Sequence, residues 1–568
     1  MSDKEESLKS FRPHPMNRRD FLRLATLMGM AAGVEPLLAA CGPTAPAATT
    51  VPTTGPIVPP TQVPTKAPTA VPATAVPPTN TPVPTPAGPK ILKFRNGGDI
   101  PGVDPAFMVG YETFVIDIVY SGLVIQKPNS YELVNDLAES IEQSADGLTI
   151  TFKLREGVKW HKGYGEVTTE DIKFSFERIA DPANQSPYAS DWGTLDHVEV
   201  VDKYNGKIIL KSPFSPLWTS TLPVNSGRVV CKKYIEEVGV DKAKFAPIGS
   251  GPYLFDTWVP NQKLIMKRNP EYYGEQFYFD EIHFIPIADN MAAEVALEAG
   301  EVDFSNISLA SAEKFMANKD FKVEKRAPLY YNWIGMNVEN PKLQDINVRQ
   351  AIRYGIDVPQ ILAAAYFGQA EPEYSLIPPG LLGFWKDAPH YERDVEKAKD
   401  FLSKAGLTTL DLTYTCSTTT ESKTWAEVTQ QNLAEIGINV TINALDPSTA
   451  WQAGMGDNGK TLELYGSGFS MYPDPSWATM WFLCDQVGVW NWMRWCNKDF
   501  DTMHNQAIAE LDPKKREEIY IKMQQLWDES AINVWVTNGA NILAFRPNIV
   551  PAMTPHGQVQ LWYFKGTA

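Results

Sequence analysis

The chain has 568 residues, 43% of them hydrophobic, which is enough for more than one core. Its formal net charge of −16 argues against nucleic acid as the main partner, because phosphate binding needs basic surface. Sixteen Trp and 22 Tyr suit either stacking on a flat ligand or filling cores.

Residues 16–23 read MNRRDFLR, which resembles a twin-arginine export signal with Asn17 in place of the usual Ser or Thr. The apolar run at 25–34 is too short to span a bilayer as a stable helix. Leu38-Ala39-Ala40-Cys41 then reads as a lipobox. Such a motif has its Cys diacylated and exposed as the new N-terminus, and two acyl chains anchor stably. Residues 1–41 are therefore expected to be a signal peptide with Cys41 the lipidation site. The mature chain is expected on the extracytoplasmic face of the cell membrane, in the periplasm or at the cell surface. Residues 42–89 are rich in Pro, Thr, Ala and Val, with Lys66 the only charge. A stretch of this kind stays extended, with a contour of at most about 150 Å.

Globular sequence begins near Lys90. Residues 91–95 read as a strand, and Val115, Ile118, Val119 and Leu123 predict a helix over 113–125. From Leu148 the chain alternates, with Ile150, Phe152 and Leu154 on one face, as in a half-buried strand. Glycines 163 and 165 make a loop. Thr168 or Thr169, with Asp171 close behind, caps a helix that ends Ser-Phe-Glu-Arg at Arg178. Strand and helix signals alternate irregularly to the C-terminus, so the class is mixed α/β.

The order strand, turn, Trp160-His161-Lys162-Gly163, Thr cap and helix resembles a marker of the family 5 solute-binding proteins, the extracytoplasmic receptors of peptide-type ABC importers. Residues 249–274 (GSGPYLFDTWVPNQKLIMKRNPEYYG) resemble its second marker, a turn into a strand and a hairpin closed by Asn-Pro. INVRQAIRYGID at 346–357 and YERDVEKAKDFLSKAGL at 391–407, with Gly406 as a cap, resemble two of its helices. Helix, Gly437 and strand over 431–442, then a long helix and a strand over 499–536, continue the likeness.

The resemblance implies a two-lobed periplasmic-binding-protein-like fold with an extra subdomain on lobe I and two hinge strands. Lobe I is expected at 90–126, 245–330 and 537–568, the extra subdomain at 127–244 and lobe II at 331–536. The hinges are expected near 326–333 and 534–541. It also implies a monomer that binds a small solute, a peptide or an oligosaccharide, and hands it to separate permease and ATPase subunits. No nucleotide or other cofactor is expected. A surface-anchored hydrolase, or a sensory receptor of the same fold, are the competing readings.

No Gly-x-Ser-x-Gly elbow and no His-Glu-x-x-His helix occurs, and the seven His are scattered without ligand spacing, so neither a catalytic site nor a metal site is predicted. Cys484 and Cys496 match a position that is bridged in the dipeptide-binding branch, so the resemblance implies a disulfide, which an exported chain permits. Cys231 and Cys416 are left without a pairing. In peptide-binding members a lobe II segment ends Asp-Tyr-x-Asp-Pro, and its first Asp holds the ligand ammonium. Here Met471 stands at that place, before Tyr472, while Asp474-Pro475 reads as a cap and first residue of a helix. The expectation is a ligand not anchored as a free-N-terminal peptide, such as an oligosaccharide stacked on aromatic faces. The candidate binding residues are Trp333, Trp385, Phe469, Met471, Tyr472, Trp490 and Trp492.

Overall fold

The computed structural model describes residues 88–567 apart from 109, 111 and 112. The twin-arginine segment, the lipobox with Cys41 and the Pro/Thr-rich stretch lie outside the described residues.

Two large sheets each carry apolar side chains on both faces. The first has seven strands, in spatial order Lys322–Arg326, Asn541–Phe545, Phe304–Ile307, Ile91–Asn96, Glu281–Pro286, Lys263–Arg268 and Tyr253–Val259. Along Asn541–Phe545, Leu543 and Phe545 enter one core while Ile542 and Ala544 enter another. This is the two-residue period of a strand covered on both sides. The second sheet has five strands, in order Ile438–Leu445, Leu410–Ser417, Leu464–Ser470, Tyr330–Met336 and Asn533–Thr537. Within Tyr330–Met336, Tyr331 and Trp333 face an aromatic core, and Ile334 and Met336 face the helices Ile346–Gly355, Val358–Tyr366 and Thr420–Ala434.

The chain passes between the sheets at 327–329 and again at 538–540. Two lobes joined by two short connections result. The connections are tied together: Asn538 Nδ2 donates to the Tyr330 carbonyl (2.8 Å), and the Met471 amide donates to the Leu329 carbonyl (2.9 Å).

A four-stranded antiparallel sheet is the extra subdomain: Ala138–Gln143, Thr149–Leu154, Asn205–Leu210 and Leu195–Val200. Ile150, Phe152 and Leu154 are buried on its inner face. The helix Thr169–Ala180 closes that face, started by Asp171, whose carboxylate accepts the Thr168 amide (2.9 Å).

The two marker stretches clasp one another. His161 is buried, donates from Nε2 to the Gly251 carbonyl (2.9 Å) and accepts the Gly249 amide at Nδ1 (3.3 Å). Gly249 is held against the preceding helix so closely that a Cβ would lie 1.9 Å from the Val119 carbonyl oxygen, so only glycine fits. Burial pushes the His161 imidazole down to about 4, so the ring stays neutral in the tautomer these bonds require.

Two expectations about element length are corrected. The helix read over 113–125 is Thr113–Val119. The Gly251 amide takes the Val119 carbonyl (2.8 Å), and the chain turns at Ser121-Gly122 into a strand, Val124–Gln126, that pairs with Leu133–Asn135. Leu123 is buried although it lies beyond the end of the helix, which is why apolar spacing alone overran that end. The long C-terminal helix is two helices, Lys498–Ala509 and Pro513–Glu529. Asp512 caps the second through the Lys514 amide (2.9 Å), and Pro513, which has no amide hydrogen, starts it.

Candidate functional site

The lobes touch at several points. Thr219 of the extra subdomain donates from Oγ1 to Asp474 Oδ2 of lobe II (2.5 Å), and the Ser215 amide donates to the Ile508 carbonyl (2.8 Å). His556 accepts the Tyr131 hydroxyl at Nδ1 (2.8 Å) and donates from Nε2 to the lobe II carbonyl of Pro379 (2.9 Å).

Between these contacts lies a cavity of about 210 Å³. Its walls come from the helix Thr113–Val119 and the strand after it, from 223–228, from the C-terminal stretch 558–562 and, on the lobe II side, from Tyr472. Asp117 and Arg228 form a buried ion pair in the wall: Arg228 donates to Asp117 Oδ1 from Nη2 (2.8 Å) and Nε (3.2 Å). Arg228 is held in place by its backbone, since the next amide, Val229, donates to Ser121 (2.9 Å). Burial raises the Asp117 carboxyl, and the Arg228 charge opposes that rise. Tyr472 meets the hydroxyl of Tyr188, which also accepts Asn225 Nδ2 (3.1 Å) and donates to the Met108 carbonyl (3.0 Å). Behind them Asp191 is buried, with its carboxylate on Ser226 Oγ (2.7 Å), and burial pushes it up to about 7.

Of the seven aromatic and thioether candidates, Tyr472 alone borders this cavity. Trp333, Phe469, Met471, Trp490 and Trp492 are buried together in the lobe II aromatic core. Trp333 lies edge-on to Phe469 at 5.1 Å, and Trp490 to Trp481 at 5.3 Å. Trp492 packs on Trp451 at 4.6 Å and on Gly454. Trp385 is half-buried and is not a member of that core. Cys484 and Cys496 form a disulfide that closes the loop holding Trp490 and Trp492. Cys231 and Cys416 are free and buried in different cores.

Asp474 does more than cap a helix. It accepts the Ser476 amide (2.9 Å) and also forms a two-pronged ion pair with Arg516, Nη1 to Oδ2 at 2.9 Å and Nη2 to Oδ1 at 2.8 Å. Burial pushes its carboxyl up, but the guanidinium outweighs burial and leaves it below the usual range. Sequence reading missed Asp117, Arg228 and Arg516. The signal for the first two is a lone charge inside an apolar run, TFVIDIV and GRVV.

Among the described residues, no group of three or more His, Cys, Asp or Glu could hold a metal ion, and no helix is long and apolar enough to cross a membrane.

A sequence model of the bacterial extracellular solute-binding proteins, family 5, matches residues 132–488, well over half of the chain. The chain belongs to this family. It is 29% identical over 416 residues to the glutathione-binding protein GsiB of Escherichia coli strain K12, covering 70% of this chain and 79% of the relative. Among solved structures, the fold recurs in HbpA2 from Haemophilus parasuis (TM-score 0.77, 22% identity, covering 84% of this chain and 100% of that one). DppA from Helicobacter pylori in complex with the peptide STSA gives a TM-score of 0.69 at 25% identity, covering 84% and 98%. MoaA from A. tumefaciens R10 in complex with mannopinic acid gives 0.67 at 25%, covering 85% and 100%. The two-lobed fold with its extra subdomain is therefore the family 5 fold.

Proposed function

We propose that this chain is the capture component of an ABC importer. It closes two lobes on a small polar solute outside the cytoplasm and delivers that solute, chemically unchanged, to a separate permease and its ATPase subunits. The observation that carries this reading is the cavity at the meeting of the lobes, where Tyr472 of one lobe faces the buried Asp117–Arg228 pair of the other. Closure supplies the mechanism: a solute that touches both walls favours the closed arrangement over the open one. Membership of the binding-protein family supports capture over hydrolysis. Cys41 as a lipid anchor and 42–89 as a spacer remain the sequence-based part of the proposal, as does a monomeric state. An oligosaccharide stacked on the lobe II tryptophans draws little support from rings packed on one another. A small solute held mainly by polar groups fits better.

The test is small-angle scattering of the purified chain with and without solute, paired with native mass spectrometry of the bound species. A decrease in radius of gyration on saturation, with ligand recovered at unchanged mass, is expected. Superimposable curves with every solute, or a ligand recovered as hydrolysis products, would sink the reading.

A further inference from the structure

Building on that capture reading, we infer that the extra subdomain is the latch of the closed arrangement: its segment 213–222 fastens onto lobe II beside the cavity, and solute enters and leaves when that fastening lets go. The helix Lys498–Ala509 of lobe II ends in the turn 508–512, and the carbonyls of a last helical turn have no partner within their own helix. Here the partners come from across the cleft. The Ser215 amide donates to the Ile508 carbonyl (2.8 Å), and the Ser215 hydroxyl donates to the Glu510 carbonyl. Thr219 Oγ1 adds a third bond, to Asp474 Oδ2 (2.5 Å). The same turn of lobe II is seated by an apolar contact. Leu511 lies against the first hairpin of the extra subdomain, where a Cβ added at Gly147 would stand 2.8 Å from Leu511 Cδ1 and 3.1 Å from Pro213 Cβ. The extra subdomain thus caps a helix that belongs to the other lobe.

The fastening is built to release. When the lobes part, the Ile508 and Glu510 carbonyls turn to water, and a hydrogen bond exchanged for water costs little net. Asp474 keeps both prongs of Arg516 (2.9 and 2.8 Å) when Thr219 leaves, so no buried charge is stranded. Several such bonds in one stretch bias the arrangement without locking it. Position ties the latch to capture. Leu217–Thr221 forms a single π-turn, closed by the Leu222 amide on the Leu217 carbonyl (2.9 Å), and such turns recur at functional sites. Directly after it come Pro223, Val224 and Asn225 of the cavity wall. On lobe II, Asp474 follows Tyr472 of the opposite wall by two residues. A solute that touches both walls therefore orders the two stretches that carry the latch, and release of the latch frees both walls.

The experiment is residue-resolved hydrogen exchange of the purified full chain without added solute. The Ser215 amide reports latch opening, and the Leu210 amide, bonded within the extra subdomain to the Leu148 carbonyl (2.8 Å), is the control. The Ser215 amide is expected to exchange at least about tenfold more slowly than an unbonded amide in the same sequence. Thr219→Val and Leu511→Ser should each speed it about three- to tenfold, the worth of one hydrogen bond or a small apolar contact, and leave Leu210 unchanged. Thr219→Ser keeps the hydroxyl and should retain the slow rate. A Ser215 amide that exchanges at the unbonded rate, one that neither variant speeds, or a Leu210 amide that speeds in step with it in both variants would overturn the inference. The scattering test of capture stands apart from this one. Curves that superimpose with every solute would sink capture whatever the Ser215 amide does, and a chain that contracts on solute while that amide stays fast would sink the latch alone.

Discussion

The two lobes approach the same cavity with opposite chemistry. The first brings buried charge: Asp117 on a short helix, Arg228 from a segment 111 residues later, Asp191 and Asp136 behind them. The second brings aromatic hydrocarbon: Tyr331, Trp333, Phe469, Trp481, Trp490 and Trp527 packed on one another, with Tyr472 at the margin. An aromatic wall is stiff and indifferent to charge, and it stabilises its own lobe whether or not solute is present. A wall built on a buried ion pair is ordered by its own partners, and among the described residues it leaves one charged donor, Arg228 Nη1, without a hydrogen bond. The division sets a buried ion pair in one lobe against packed aromatic rings in the other.

The heaviest blow to this contrast falls on the most deeply buried ion pair of the second lobe among the described residues. Arg516→Met leaves Asp474 buried without its partner and should cost about 3–5 kcal/mol in urea unfolding. A loss below about 1 kcal/mol would show that the aromatic core carries this lobe alone.

Acid should act on the two lobes alike and on the cavity in reverse. His161 in the first lobe and His504 in the second are both held near 4 by burial, below the unfolded value of 6.5. The unfolded chain therefore binds more protons between those values, and stability is lost as pH falls from 6.5 toward 4, by up to about 3 kcal/mol for each. Asp191 has the opposite sign. Its carboxyl is raised from 3.8 to about 7 by burial, so its contribution is fully present below 3.8 and is lost as pH rises through 7. Urea midpoints of the unliganded chain from pH 4 to 8 should follow the histidines. Asp191→Asn should then make the curve steeper by removing the opposing term.

Replacing Cys484 and Cys496 by Ser should cost roughly 3 kcal/mol, from the freedom returned to a 12-residue loop, with the loss confined to the second lobe's transition in calorimetry. The mildest test touches neither core. Thr219→Val removes the hydroxyl that crosses to Asp474 and should weaken solute binding by about 1 kcal/mol. The unfolding midpoint of the unliganded chain should hardly move.

Much of the fold was legible in the chain. The alternation at Ile150, Phe152 and Leu154, the cap at Thr168, the hairpin after Gly251 and the cap glycine at Gly406 are all set by local sterics and periodicity, and local rules recover them. The end of the helix at Val119 was not legible, because the amide that ends it belongs to Gly251. The site was legible in one respect and hidden in another. Met471 and Tyr472 could be placed at a lobe II position from motif order alone. Whether a given Trp faces a ligand or another Trp depends on what folds over it, and in Trp490 and Trp492 the covering rings come from 451 and 481. Asp117 and Arg228 were hidden for the same reason: neither charge has meaning until the chain brings them within 3 Å.

Residue 471 has a second consequence, one of timing. Its amide donates to the Leu329 carbonyl, in one of the two connections between the lobes. The next residue, Tyr472, borders the cavity, so the lobe II wall is fastened one residue from that link. Any change that retunes what the molecule prefers to hold should also retune how quickly it lets go.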